Sequence, residues 1–149
     1  MHLIPAHRVL SRDVTPEDVA RVKADAAIMV VVTKIPYGLY ANAYAIAHPQ
    51  VTDQDPLKFF VTKDNEIICN PVITYASKLK RPMEEGCMTF ADKKKKAMFR
   101  PYKITVEFQY ITENGTLSEK ISDTFKGIEA QVFQHEIEHF EGKYIYDEE

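Results

Sequence analysis

Two histidines four residues apart, with a glutamate directly after the first, are the part of this 149-residue sequence best suited to chemistry. If His135-Glu136-Ile137-Glu138-His139 is helical, both imidazoles project from one side, one turn apart, and can share one metal ion. Glu136 then sits beside that ion without ligating it and can take a proton from a water the ion activates. The plainer alternative is an amphipathic helix with two exposed or hydrogen-bonded histidines. A catalytic site of this type needs a third protein ligand and an open position. The candidates are a third histidine, a carboxylate or Cys87. His2, His7 and His48 lie in segments with no supporting pattern and read as surface or loop residues. Cys87 stands in Glu84-Glu85-Gly86-Cys87-Met88-Thr89. Gly86 would allow close backbone approach, and a thiolate is a good soft ligand. A lone cysteine is otherwise a small buried hydrophobe.

The elements that must carry these residues can be read from pattern. Thr15-Pro16-Glu17-Asp18 has the cap, the proline and the acidic third position of a helix start. That helix is expected to run to about residue 33, where Pro36-Tyr37-Gly38 breaks it. Strands are expected at 57–61, 66–69 and 72–77, the last two separated by a turn or bend at Asn70-Pro71. Residues 102–111 alternate apolar and polar side chains with the period of a half-buried strand. Glu113-Asn114-Gly115 supplies a hairpin turn, and the return strand is expected at 117–125. A final helix should start near Gly127 and end at Gly142, with Ile128, Val132, His135 and His139 on one face. The order gives an α+β fold with mostly antiparallel sheets packed around a metal-bearing C-terminal helix, plus an N-terminal helix.

Composition fits one domain over residues 1–149. At 45% hydrophobic and a net charge of −3, the chain can build a core and shows no bias toward nucleic acid or an anionic membrane. The run Lys93-Lys94-Lys95-Lys96 reads as a solvated loop. The longest apolar run, 26–32, is far shorter than the roughly 20 residues of a membrane span. The N-terminus lacks a signal-peptide pattern, so a cytoplasmic protein is expected, with Cys69 and Cys87 as free thiols.

Taken together, the motifs resemble those of peptide deformylases. Gln134-His135-Glu136-Ile137-Glu138-His139-Phe140-Glu141-Gly142 resembles the third motif of that family, and Glu85-Gly86-Cys87-Met88-Thr89 the second, whose cysteine is the third metal ligand. Gly38-Leu39-Tyr40-Ala41-Asn42-Ala43 looks like a degraded first motif. That motif normally reads Gly-Leu-Ala-Ala and then, two residues on, a Gln. Counted from Gly38, the Gln position is Ala43, and neighbouring Asn42 is a candidate replacement. Glu138 stands for the usual Asp, and Phe140 for the common Leu. The sequence ends seven residues after Gly142, which resembles trimmed members encoded by phages; longer members carry a C-terminal helix associated with ribosome docking.

The resemblance implies one divalent ion held by Cys87, His135 and His139, with Fe²⁺ expected and Ni²⁺, Co²⁺ or Zn²⁺ as substitutes. It implies Glu136 as the proton acceptor and donor, and the Met88 backbone N–H with Asn42 as oxyanion donors. An N-formylmethionyl nascent peptide would lie extended near Gly38, Leu39 and Asn42, with its methionine side chain among Ile128, Val132, Met88 and Tyr37. A monomer with transient ribosome proximity, and no nucleic-acid or membrane partner, is expected. A small metallopeptidase and a binding module without turnover are the competing readings. The first lacks a downstream histidine, and the second is motivated by Ala43.

Overall fold

The structure is a computed structural model that describes residues 1–34 and 44–147. The N-terminal helix begins as the sequence suggests. Thr15 is extended, with φ −112° and ψ 168°. The Asp18 carboxylate accepts hydrogen bonds from the Thr15 backbone N–H (2.8 Å) and hydroxyl (3.0 Å). A 3₁₀ turn, Pro16–Asp18, leads into α1, Val19–Thr33. Val22, Ala26, Met29 and Val32 recur every three or four residues and are all buried, so they form the stripe that faces the sheet.

Five antiparallel strands form that sheet: β1 (Ala45–Ala47), β2 (Phe59–Thr62), β3 (Ile67–Ala76), β6 (Lys103–Gln109) and β7 (Ile121–Lys126). They lie in the order β1-β2-β3-β6-β7. A separate ribbon pairs β4 (Lys80–Glu85) with β5 (Lys96–Pro101). The second helix, α2 (Ile128–Phe140), lies across the other face of the main sheet. Consecutive residues of β2 explain this arrangement. Phe59 and Val61 point into the α1 core with Ile46, Leu57 and Cys69. Phe60 points the other way, into a core with Ile104, Val106, Phe108, Ala130 and Phe133. A strand buried on both faces must be apolar throughout, as this one is.

Three strand boundaries differ from expectation for physical reasons. Asn70-Pro71 does not turn the chain. Asn70 takes φ 53° and the register shifts between Cys69 and Val72, so β3 passes through as one strand with a bulge. The Asn70 amide is used there. Its oxygen accepts from Val14 N (2.7 Å), and its NH₂ donates to Val14 O (2.9 Å) and Gln109 Oε1 (2.8 Å). The 102–111 strand is confined to Lys103–Gln109. Its hairpin partner begins at Ile121, with a single further bridge between Ile111 and Leu117. The β4–β5 ribbon was not expected, because its strands are rich in charge, only partly buried, and carry no period-2 apolar signal. The lysine run is not wholly solvated loop either: Lys96 opens β5 and its ammonium donates to Ile145 O at 2.8 Å. No described helix is long and apolar enough to cross a membrane.

Candidate metal centre

Glycine sets both ends of α2. Gly127, at φ 61°, precedes its first turn. Gly142, at φ 72°, follows its last, where a Cβ would stand 3.1 Å from Arg8 Cα. Between them, His135, Glu136 and His139 are all buried. The two imidazole rings lie edge to face with centroids 4.7 Å apart.

Each histidine is oriented through Nδ1. His139 Nδ1 lies 3.1 Å from the Lys143 carbonyl. A carbonyl can only accept, so Nδ1 carries the hydrogen and Nε2 the lone pair. His135 Nδ1 lies 2.9 Å from Glu85 Oε1, which frees its Nε2 in the same way. Cys87, directly after the β4 ribbon, brings its Sγ to 3.7 Å from His139 Nε2. One ligand atom from each of Cys87, His135 and His139 lies within 4.8 Å of the others, and all three residues are buried. A tetrahedral ion with bonds of about 2.3 Å to sulfur and 2.0–2.1 Å to nitrogen would separate such atoms by roughly 3.3–3.6 Å. The donor set, its geometry and the Nδ1 partners therefore fit a divalent metal ion.

The carboxylates around this triad differ in state. Glu85 is held by Arg100, whose Nε and Nη2 both donate to it, the latter at 2.8 Å. Burial works to raise the Glu85 carboxyl, but Arg100 and His135 outweigh it and bring it to about 2. Arg100 is itself buried and also pairs with Glu138 at 2.7 Å. Glu136 has no such partner among the described residues. Its Oε2 is buried and accepts no hydrogen bond from the described residues. Burial, reinforced by the nearby Glu85 charge and opposed by His135, raises the Glu136 carboxyl to about 7. A carboxyl in that range, beside the ligand atoms, can hold or release a proton at neutral pH.

One further polar side chain reaches the Cys87 sulfur. Gln50 ends the 3₁₀ turn His48–Gln50, directly after β1. Its Oε1 accepts from Ala47 N at 2.8 Å, and its Nε2 lies 3.6 Å from Cys87 Sγ and 3.2 Å from Thr89 Oγ1.

A family model described as polypeptide deformylase matches residues 7–148. The chain belongs to the peptide deformylase family. It is 32% identical over 116 residues to the peptide deformylase of Pseudothermotoga lettingae, covering 73% of this chain and 61% of that protein. It is 33% identical over 109 residues to that of Treponema pallidum, covering 72% and 63%. The matched segments thus span somewhat under two thirds of those relatives' lengths. Among solved structures, the peptide deformylase of Thermotoga maritima superposes with a TM-score of 0.79 at 26% identity, covering 99% of this chain and 96% of that one. A probable peptide deformylase of Synechococcus phage S-SSM7 shares the fold, with a TM-score of 0.71 at 24% identity, covering 94% and 90%.

The structure brings Cys87, His135, His139 and Glu136 together. Met88 opens the 3₁₀ turn after Cys87, its side chain buried in the α1 core. Val132 is half-buried and packs with Ile73 and Phe125 around the α2 core. Ile128, at the first turn of α2, is 54% exposed. Tyr37, Gly38, Leu39, Asn42 and Ala43 lie outside the described residues. Sequence reasoning missed Gln50, and the signal was present. Ala45-Ile46-Ala47-His48-Pro49-Gln50 has the first-motif spacing when counted back from a Gln, with Ala45 in place of the Gly. Counting from the nearest Gly led to Ala43, whereas the structure sets Gln50 against Cys87. Glu85 stood in the second motif without a role assigned to it, and Arg100 and the Lys143 carbonyl carried no pattern of their own.

Proposed function

We propose that this protein removes the formyl group from N-formylmethionyl peptides by hydrolysis, releasing formate and a free N-terminal amine. The observation that carries the reading is the buried Glu136 oxygen, without a partner among the described residues, in the same helical turns as two histidines whose ring nitrogens share a space with the Cys87 sulfur. Cys87, His135 and His139 would hold one divalent ion, and Fe²⁺ is the ion the family resemblance favours. A thiolate with two imidazoles also suits Zn²⁺. The ion would supply a Lewis acid that activates water and polarises the formyl oxygen.

The chain's own groups do the rest. Glu136 accepts the proton of the attacking water, keeps it within the buried site and returns it to the departing amine. The Gln50 Nε2–H and the Met88 backbone N–H donate to the oxygen on which charge develops. Gln50 thereby takes the role the sequence suggested for Asn42. Among the described residues β1 is an edge strand of the sheet, and an extended peptide can add to it by main-chain hydrogen bonds. This puts the substrate beside Gln50. Formylated nascent chains are the partner this chemistry requires, in a compartment where translation starts on formylmethionine.

The test is formate release from formyl-Met-Ala-Ser under anaerobic conditions with Fe²⁺ or Ni²⁺ loaded. Formate is expected from the formylated peptide, with no internal cleavage of the unformylated one. Full metal occupancy without formate refutes the proposal, and cleavage of unformylated peptide points to a peptidase instead.

A further inference from the structure

We infer that His48 and Asp25 are a positioning pair that holds the Gln50 amide against the Cys87 sulfur. The structural part of this stands on geometry alone; its consequence for turnover rests on the function proposed above.

His48 is fully buried and its ring lies 4.5 Å from that of Phe59, centroid to centroid. An apolar side chain would fill that space without bringing polar atoms inside. The ring instead uses both nitrogens. The Leu57 backbone N–H donates to Nδ1 at 2.9 Å. A backbone N–H can only donate, so Nδ1 is the acceptor and Nε2 carries the hydrogen. Nε2 donates to Asp25 Oδ2, also at 2.9 Å. Asp25 lies on α1 one turn after Arg21, whose Nε is 3.8 Å from its carboxylate. The Arg21 guanidinium in turn donates to the carbonyls of Gln54 (2.9 Å) and Asp55 (2.8 Å). One buried ring thus ties together α1, the 54–57 segment and the 3₁₀ turn that His48 opens.

Gln50 ends that turn. Its oxygen is occupied by Ala47 N, so the amide nitrogen is left to face Cys87 and Thr89. The position of this nitrogen depends on the backbone of residues 47–50, where the Ile4 N–H donates to the Gln50 carbonyl (3.0 Å), the His7 ring meets the Pro49 carbonyl (2.7 Å), and residue 48 is tied to α1 through its own side chain. Releasing Asp25 from Nε2 frees the ring to turn and the short helical turn to shift with it. A displacement of about 1 Å at a reacting centre can cost around 10²-fold in rate, so partial release should cost about tenfold.

Asp25 offers a test that spares the fold, since its side chain is 21% exposed and removing it leaves no buried charge behind. In the Zn²⁺-loaded protein, the Gln50 side-chain ¹⁵N–¹H₂ signals are assigned by their loss in Gln50→Ala. They should shift or broaden in Asp25→Ala and return in Asp25→Asn, whose oxygen still accepts from Nε2. In formate release, Asp25→Ala should lower kcat about tenfold with KM within about twofold, and Asp25→Asn should restore most of it. In a Gln50→Ala background, Asp25→Ala should add no further loss. Unmoved Gln50 signals in Asp25→Ala overturn the inference, as does full additivity of the two substitutions. Absence of turnover in the unsubstituted protein would overturn the function instead, and the Gln50 signals would still decide this point.

Discussion

Arg100 is the residue whose loss should cost the most relative to its visibility in the sequence. Its side chain is 7% exposed and Glu85 beside it 3%. Arg100→Met would leave the Glu85 carboxylate buried, still bonded to His135 Nδ1 but stripped of its main counter-charge. Removing one partner of a buried ion pair typically costs about 3–5 kcal/mol, because the remaining charge has no water to return to. For a chain of about 150 residues, each kcal/mol corresponds to about 2–4 °C in Tm, so a fall of roughly 6–20 °C is expected. Urea unfolding in the presence of a chelator reads this without a contribution from ion binding. The double variant Arg100→Met/Glu85→Leu removes both charges, and such replacements are often close to neutral. It should recover most of the stability, since Glu138 is 39% exposed and can turn to solvent. It should not recover metal affinity, because His135 Nδ1 no longer has an acceptor. A loss of about 10–100-fold in affinity is expected from an orienting partner of this kind. An Arg100→Met variant within 1 kcal/mol of the parent, on the scale of an exposed pair, would refute the reasoning.

Three further outcomes follow from single features. Phe133 stacks on Phe125 at 4.3 Å and meets Phe60 edge-on at 5.2 Å; Phe133→Ala should cost about 3–5 kcal/mol in urea unfolding, and a loss below 1 kcal/mol would mean the α2 core is not packed as described. Gly142→Ala places a Cβ against Arg8 backbone at φ 72°; it should cost at least about 2 kcal/mol and weaken metal binding through the neighbouring Lys143 carbonyl, and a neutral result would contradict the close approach. Arg12 is the main cause holding the Asp18 carboxyl well below the usual range. The unfolded chain therefore binds a proton near pH 4 that the folded chain refuses, so stability contributed by this pair is present above about pH 4 and lost as pH falls through and below it. Asp18→Asn should flatten that acid limb in a pH series of urea midpoints, and an unchanged limb would rule the pair out as its cause.

The metal-bearing helix was legible because it combines two independent signals, the four-residue spacing of the histidines and the glycines at its ends. β6 was legible because one of its faces is buried and the other is not. The double-sided burial of β2 showed only as an apolar run. Asn70-Pro71 misled because the residues that favour a turn also serve a bulge, and only the tertiary bonds to Val14 and Gln109 decide between the two. The β4–β5 ribbon left almost no pattern, since what it contributes is the placement of Glu85 and Arg100 rather than an apolar face. Gln50 was overlooked because a glycine drew the first motif seven residues too early; the side chain that matters for chemistry was the better anchor.

The most direct measurement of the central claim is formate release by Glu136→Gln beside the parent protein, with metal content determined on the same samples. Glutamine keeps the shape and the helix but cannot carry the proton, and general acid–base groups typically contribute about 10²–10⁴ in rate. One metal ion per chain is expected in both proteins, with a fall in kcat of that size in the variant. Full turnover in metal-loaded Glu136→Gln would contradict that claim.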